Sequence, residues 1–257
     1  MSILHSNIIG SGDQHFIILH GFLGMGDNWK TQAKNLAKND YSVHLVDQRN
    51  HGRSFWSEAF NYNMMVGDLQ LYLDHHDLKE VILLGHSMGG KTAMGFALKY
   101  PDRVKKLIIA DIGPKYYAPH HQEILAGLST LNFIEINSRK KAAEHLENYI
   151  PNMGTRQFLL KNIYWVSDDQ LGLRPNIEVL KNAGEVIGEP IESESSFLKP
   201  VLFLYGGNSN YINSNTDSLM ILNLFPKAEV TKIENSGHWL HVEQPQQFFE
   251  ILIKWLT

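Results

Sequence analysis

The chain of 257 residues contains no cysteine. That excludes disulfides, thiolate metal sites and a cysteine nucleophile, and it fits a cytoplasmic protein. Long hydrophobic runs are also missing. The longest, at residues 16–19 and 201–205, are strand-sized and far short of the ~20 residues that cross a bilayer. Residues 1–7 carry neither a basic segment nor an apolar stretch, so no secretory leader is expected. A strong excess of either charge is lacking as well: 23 Lys and Arg stand against 27 Asp and Glu, both scattered, for a net charge of -4, so neither nucleic acid nor a membrane surface is an expected partner. Repeats and low-complexity segments are lacking, and the nearest thing to a linker is the polar run 188–196. What is present is ordinary for a globular chain, with 43% hydrophobic and 19% charged residues. The length suffices for one large α/β domain or for a core with an inserted cap.

The most informative stretch is 81–100. Val81-Ile82-Leu83-Leu84 reads as a buried strand, while Thr92, Ala93, Phe96, Ala97 and Tyr100 recur at helical spacing until Pro101. Between them stands Gly85-His86-Ser87-Met88-Gly89, a Gly-x-Ser-x-Gly at a strand-to-helix junction. A chain passing from strand to helix without a spacer must turn sharply, which strains the central residue and lifts its hydroxyl above the sheet. The flanking glycines avoid a Cβ where strand and helix crowd together. Ser87 is therefore the expected nucleophile.

Apolar runs at 16–19, 42–46, 81–84, 104–110, 201–205 and 228–233 alternate with amphipathic stretches at 28–39, 64–75, 92–100, 216–225 and 244–257. This alternation predicts a mostly parallel sheet covered on both faces by helices, with a weaker first strand at 3–9. The rhythm breaks between 114 and 196, where no buried strand stands out and helices are expected at 138–149 and 156–165. The division that follows is a core of 1–113 and 197–257 interrupted by a helical cap at 114–196. On the last helix Phe248, Ile251, Leu252 and Trp255 form the expected buried side.

A serine hydroxyl needs a base, and the base needs an orienting group. In folds with this elbow the chain order is serine, acid, histidine, and a late loop carries the histidine over the nucleophile. His238, after the final strand, fits that place; His241 is the rival, and His86 is read as packing beside Ser87. The acid is displaced. The loop after 201–205 reads Gly206-Gly207-Asn208-Ser209-Asn210-Tyr211-Ile212, with no carboxylate before Asp217. Asp111, at the tip of the preceding strand, is the better candidate because adjacent strand tips face one crevice. Asp217 remains the alternative, though it looks like a helix start. Ser209 stands where the acid usually does and is placed to hydrogen-bond the Asp111–His238 pair. His20-Gly21-Phe22 follows the strand beside the elbow, so the N–H groups of Phe22 and Met88 are the expected oxyanion hole, with His20 holding the loop.

Adjacent histidines at 75–76 and 120–121 point in different directions on a helix, so no metal site is expected, nor any other cofactor. Arg139, Lys140 and Lys141 could meet a phosphorylated group such as that of coenzyme A, but a solvated helix face explains them better. The cap aromatics Tyr116, Tyr117, Phe133, Phe158, Tyr164 and Trp165 are candidates for an acyl pocket or for cap packing.

Taken together these residues resemble the α/β-hydrolase superfamily over essentially the whole chain. More narrowly, Asp47-Gln48-Arg49-Asn50-His51-Gly52-Arg53-Ser54, Leu84 to Lys91, Gly206-Gly207-Asn208-Ser209 and Ser236-Gly237-His238-Trp239 resemble the small bacterial esterases of the YbfF type, which have mitochondrial relatives with an abhydrolase domain. Asn50, where glycine is more usual, is part of that likeness. The resemblance implies that the acid sits at the tip of the earlier strand with a serine assisting, which supports Asp111 and Ser209. It also implies hydrolysis of carboxylic esters, a class that could extend to acyl-CoA thioesters; the expected partner is a small-molecule ester and the expected form a monomer or homodimer. Two alternatives are a carbon–carbon bond hydrolase or lyase using the same triad, and a non-catalytic ligand-binding member of the fold.

Overall fold

The computed structural model describes residues 2–257. The chain begins with β1 (Ser6–Ile9), β2 (Gln14–Leu19), α1 (Lys30–Ala37), β3 (Tyr41–Val46), α2 (Tyr62–His75), β4 (Val81–His86), α3 (Met88–Lys99) and β5 (Val104–Ala110). It leaves the sheet for α4 (Gln122–Ser129), α5 (Arg139–Glu147), α6 (Met153–Leu160), β6 (Ile163–Trp165), β7 (Leu171–Leu173), α7 (Ile177–Leu180) and α8 (Gly184–Gly188). It returns through β8 (Val201–Gly206), α9 (Ser214–Leu224), β9 (Ala228–Ile233), α10 (Leu240–Glu243) and α11 (Pro245–Leu256).

Seven strands form one sheet in the order β1-β3-β2-β4-β5-β8-β9. All neighbours are parallel except β1, which runs antiparallel to β3. The central strands are apolar on both sides because both faces are covered. Ile17, Leu83, Leu107 and Phe203 pack with α2, α3 and α9 on one face. Their neighbours Phe16, Ile82, Ile108 and Leu202 pack with α1 and α11 on the other, so the period of two in each strand serves two cores. A third apolar cluster joins Phe22, Met65 and Met88 to the segment between β5 and β8.

One expectation needs correction. The helix read over 156–165 stops at Leu160, and Ile163–Trp165 pairs antiparallel with Leu171–Leu173. The two short strands are only partly buried, and the polar stretch 167–169 makes the hairpin turn between them, closed by Val166 N–H donating to the Gln170 carbonyl (2.8 Å). On α11, Phe248 and Leu252 are fully covered, and Ile251 and Trp255 pack half-buried against the same cluster, as expected.

Asn50 has a φ of 62°, a left-handed conformation that asparagine tolerates better than most residues. Its amide also bridges Ser57, donating to that carbonyl (2.9 Å) and accepting from that N–H (2.8 Å), while its own carbonyl accepts from Asn176 N–H (2.9 Å). A glycine could supply the turn but not this side-chain bridge.

Candidate active site

Ser87 joins β4 directly to α3 at φ 52° and ψ -122°. Such a backbone persists only where its surroundings enforce it. A Cβ on Gly85 would sit 2.2 Å from the Gly89 carbonyl oxygen, and one on Gly89 would sit 2.4 Å from that of Leu19. The turn therefore admits glycine alone at both flanks. Ser87 N–H donates to the Ala110 carbonyl (3.0 Å), and the Ser87 carbonyl accepts from Gly90 N–H (2.8 Å). The side chain is left half-buried at the C-terminal edge of the sheet.

Asp111 and His238 meet at that same edge. His238 Nδ1 donates to Asp111 Oδ2 at 2.7 Å. The carboxylate is fully buried, and its other partners are Ser209 Oγ, donating to Oδ2 at 2.5 Å, and Gly206 N–H, donating to Oδ1 at 2.9 Å. A buried carboxylate with three donors is a satisfied charge. With Nδ1 engaged, Nε2 is the ring nitrogen of His238 left for chemistry. Asp111 itself has φ 52°, the turn by which the chain leaves β5. Asp217 lies elsewhere: it binds Lys115 Nζ (2.6 Å) and accepts Asn213 N–H (2.9 Å) at the start of α9. Lys115 and these hydrogen bonds hold its carboxyl below the usual range against the opposing effect of burial.

The loop carrying His238 is held from two sides. Glu243 accepts from the N–H groups of Gly237 (2.7 Å) and Trp239 (3.2 Å). His86 Nε2 donates to the His238 carbonyl at 2.8 Å, so His86 braces the loop as well as packing beneath it. Burial first, then the neighbouring His238 and His241, keeps the His86 imidazole neutral. His241, the rival base, is buried and stacked on Trp29 at 3.7 Å, and burial lowers it to about 3.

Tyr211 was not singled out from sequence. Its ring stacks on His238 with centroids 4.0 Å apart and planes 16° apart. Its hydroxyl meets His120 Nε2 at 2.5 Å, and its carbonyl accepts from Tyr117 O–H at 2.7 Å. Only its neighbourhood to Ser209 hinted at this place.

On the other side of Ser87 lies Gly21, where a Cβ would come within 3.2 Å of the Ser87 Cβ. The Gly21 carbonyl accepts from His20 Nδ1 (2.8 Å) and Gly24 N–H (3.0 Å). Because a peptide is planar and trans, this fixes the direction of the Phe22 N–H opposite. That N–H has no acceptor among the described residues, and Met88 N–H heads α3 outside its hydrogen-bond ladder. His20 Nε2 accepts from Gln48 N–H (3.0 Å), and burial lowers this imidazole to about 4, keeping it a neutral strut.

Ser87, His238, Phe22, His120, His121 and Tyr211 all border one cavity of about 200 Å³. Of the cap aromatics, Phe158 borders this cavity and Tyr117 a smaller one, while Tyr116 and Trp165 are exposed. Arg139 donates to the Ile163 carbonyl (2.7 Å), and Lys140 pairs loosely with Glu144 (3.9 Å). Among the described residues, no three His, Cys, Asp or Glu side chains cluster as metal ligands would, and no helix is long and apolar enough to cross a membrane.

A model of the α/β-hydrolase fold family matches residues 14–128. The sn-1-specific diacylglycerol lipase ABHD11 of Mus musculus is 36% identical over 94% of this chain and 80% of its own length. Esterase YbfF of Escherichia coli is 33% identical over 94% of this chain and 92% of its own. A solved marine microorganism esterase superposes with a TM-score of 0.95 at 38% identity, covering 99% of this chain and all of that one.

Proposed function

Because the chain belongs to the α/β-hydrolase family, we propose that it is a serine carboxylesterase in which Ser87, His238 and Asp111 form the triad. The observation that carries this reading is the 2.7 Å His238–Asp111 hydrogen bond beside the strained Ser87 turn, on one cavity wall. Its substrate is a small-molecule ester, in keeping with the named esterases among its relatives. Ser87 Oγ attacks the acyl carbonyl while His238 Nε2 takes its proton, and Asp111 steadies the imidazolium. The N–H groups of Phe22 and Met88 receive the oxyanion. His238 then passes the proton to the departing alcohol, and a water deprotonated by the same imidazole releases the acid.

Ser209 supports Asp111 in this scheme by holding Oδ2, and it borders neither cavity that Ser87 borders. The segment 114–196 serves as a cap on a core of 1–113 and 197–257, and a cytoplasmic monomer or homodimer is the form this reading takes. A fluorophosphonate probe tests it: wild type is labelled on Ser87 and hydrolyses p-nitrophenyl acetate, and Ser87→Ala does neither. Labelling that persists in Ser87→Ala removes the assignment.

A further inference from the structure

Two cavities meet at Ser87. Phe22, Ser87, His121 and Tyr211 border both, but His238 borders only the larger, of about 200 Å³. The smaller holds about 20 Å³ between Met88, Ile112, Ala118, Pro119 and Ile187, roughly the room of one ordered water. Ester cleavage decides which half of a substrate goes where. When the first tetrahedral intermediate collapses, the departing oxygen must take the proton that His238 holds. The alcohol therefore leaves on the side His238 borders, and the acyl group occupies the other. Beyond the larger cavity lies an outer groove of about 460 Å³ that shares Phe158, Trp239 and His241 with it and continues along Gln157, Val242 and Lys161. The Phe158 and Trp239 rings, 5.4 Å apart, form the sill between them.

We propose that this chain selects esters joining a very short acyl group to a long alcohol, with acetyl or propionyl seated against Ile112 and Ile187 and the alcohol chain crossing the Phe158–Trp239 sill into the outer groove. This rests on the ester-hydrolase reading and adds the orientation and class of the substrate. In the first step the Ser87 Oγ–acyl bond forms, the acyl–alkoxy bond breaks, and the Ser87 proton travels through His238 to the alcohol. In the second, water oxygen bonds to the acyl carbon, the Ser87 ester breaks, and the water proton returns through His238 to Ser87.

Octyl acetate and methyl nonanoate are isomers that differ only in which side of the ester carries the long chain. Octyl acetate is expected to show a kcat/KM about tenfold or more above methyl nonanoate, as a pocket that rejects extra methylenes allows. Parity or the reverse order overturns the proposal. Ile187→Ala is expected to raise p-nitrophenyl butyrate relative to acetate by about tenfold. Gln157→Trp is expected to lower octyl acetate relative to ethyl acetate by a similar factor of about ten. If either ratio stays at its wild-type value, the compartment assignment is wrong. Calorimetric titration of Ser87→Ala with the two isomers gives an answer independent of turnover, with octyl acetate binding more tightly. A wild type that hydrolyses no ester would sink the esterase reading, while this titration still decides the compartments.

Discussion

At the scale of single residues, the charge that matters most is the one that cannot reach water. Asp111 is fully buried with donors from His238, Ser209 and Gly206. Asp111→Asn keeps the shape but presents an amide that cannot stabilise an imidazolium, so kcat for p-nitrophenyl acetate is expected to fall by about 10⁴. Asp217→Asn should leave kcat near wild type, since its partners are Lys115 and Asn213. A large fall there instead would transfer the acid's role. Ser209→Ala removes one charge-assisted hydrogen bond, worth about 1.5–3 kcal/mol, so a loss of about tenfold to a hundredfold in kcat is expected. Tyr211→Phe keeps the ring stacked on His238 and loses only the bond to His120. Tyr211→Leu removes the aromatic face. Steady-state assays should therefore show the leucine variant losing more kcat than the phenylalanine variant.

At the scale of elements, the strand–turn–helix of β4 and α3 is what makes a serine available. The turn tolerates no side chain at its flanks, so Gly89→Ala is expected to cost about 3 kcal/mol or more as the new methyl meets the Leu19 and His20 carbonyls. A urea melt reads that loss. This element was legible in the sequence because its constraints are local: an apolar strand, two glycines and a helix. The hairpin of β6 and β7 was not. Its three-residue strands are too short to show alternation, and the helix read over 156–165 runs through the first of them. Tyr211 was equally hidden, because stacking on a residue 27 positions away has no sequence period.

At the scale of the whole molecule, two features tie distant segments together. Lys91 on α3 is fully buried, and its Nζ donates to the carbonyls of Lys115 (2.9 Å), Gly188 (3.0 Å) and Glu189. These lie on both connectors of the segment between β5 and β8, so one side chain fastens each end of the proposed cap. Lys91→Met leaves all three carbonyls without that donor, a loss of about 3 kcal/mol. Limited proteolysis should then cut within 114–196 before the core opens; cleavage unchanged from wild type would contradict this. The second feature is a set of buried imidazoles. Burial lowers His20 to about 4 and both His51 and His241 to about 3. Unfolding frees each to its ordinary value near 6.5. Between those values the unfolded chain binds more protons, so the contribution of these imidazoles to stability is full above about pH 6.5 and falls as the pH drops toward 4. Each group contributes a slope of about 1.4 kcal/mol per pH unit. Urea midpoints at pH 7, 6 and 5 should decline steeply, and a flat series would disprove it.

The strand–helix alternation, the turn at Ser87, the position of His238 and the choice of Asp111 as the proposed acid all follow from sequence order, because each depends on neighbours within about ten residues or on the absence of a carboxylate from one loop. The Asp111–His238–Ser209 association is legible as well, but the finer contacts are not. That Ser209 and His238 share one oxygen of Asp111, that Tyr211 lies flat against the imidazole, and that Lys91 binds both connectors depend on strand tips brought side by side by the sheet order β4-β5-β8-β9. Hydrogen bonds and stacking act over a few ångströms of space, and only the packed sheet converts separations of about a hundred residues into such distances.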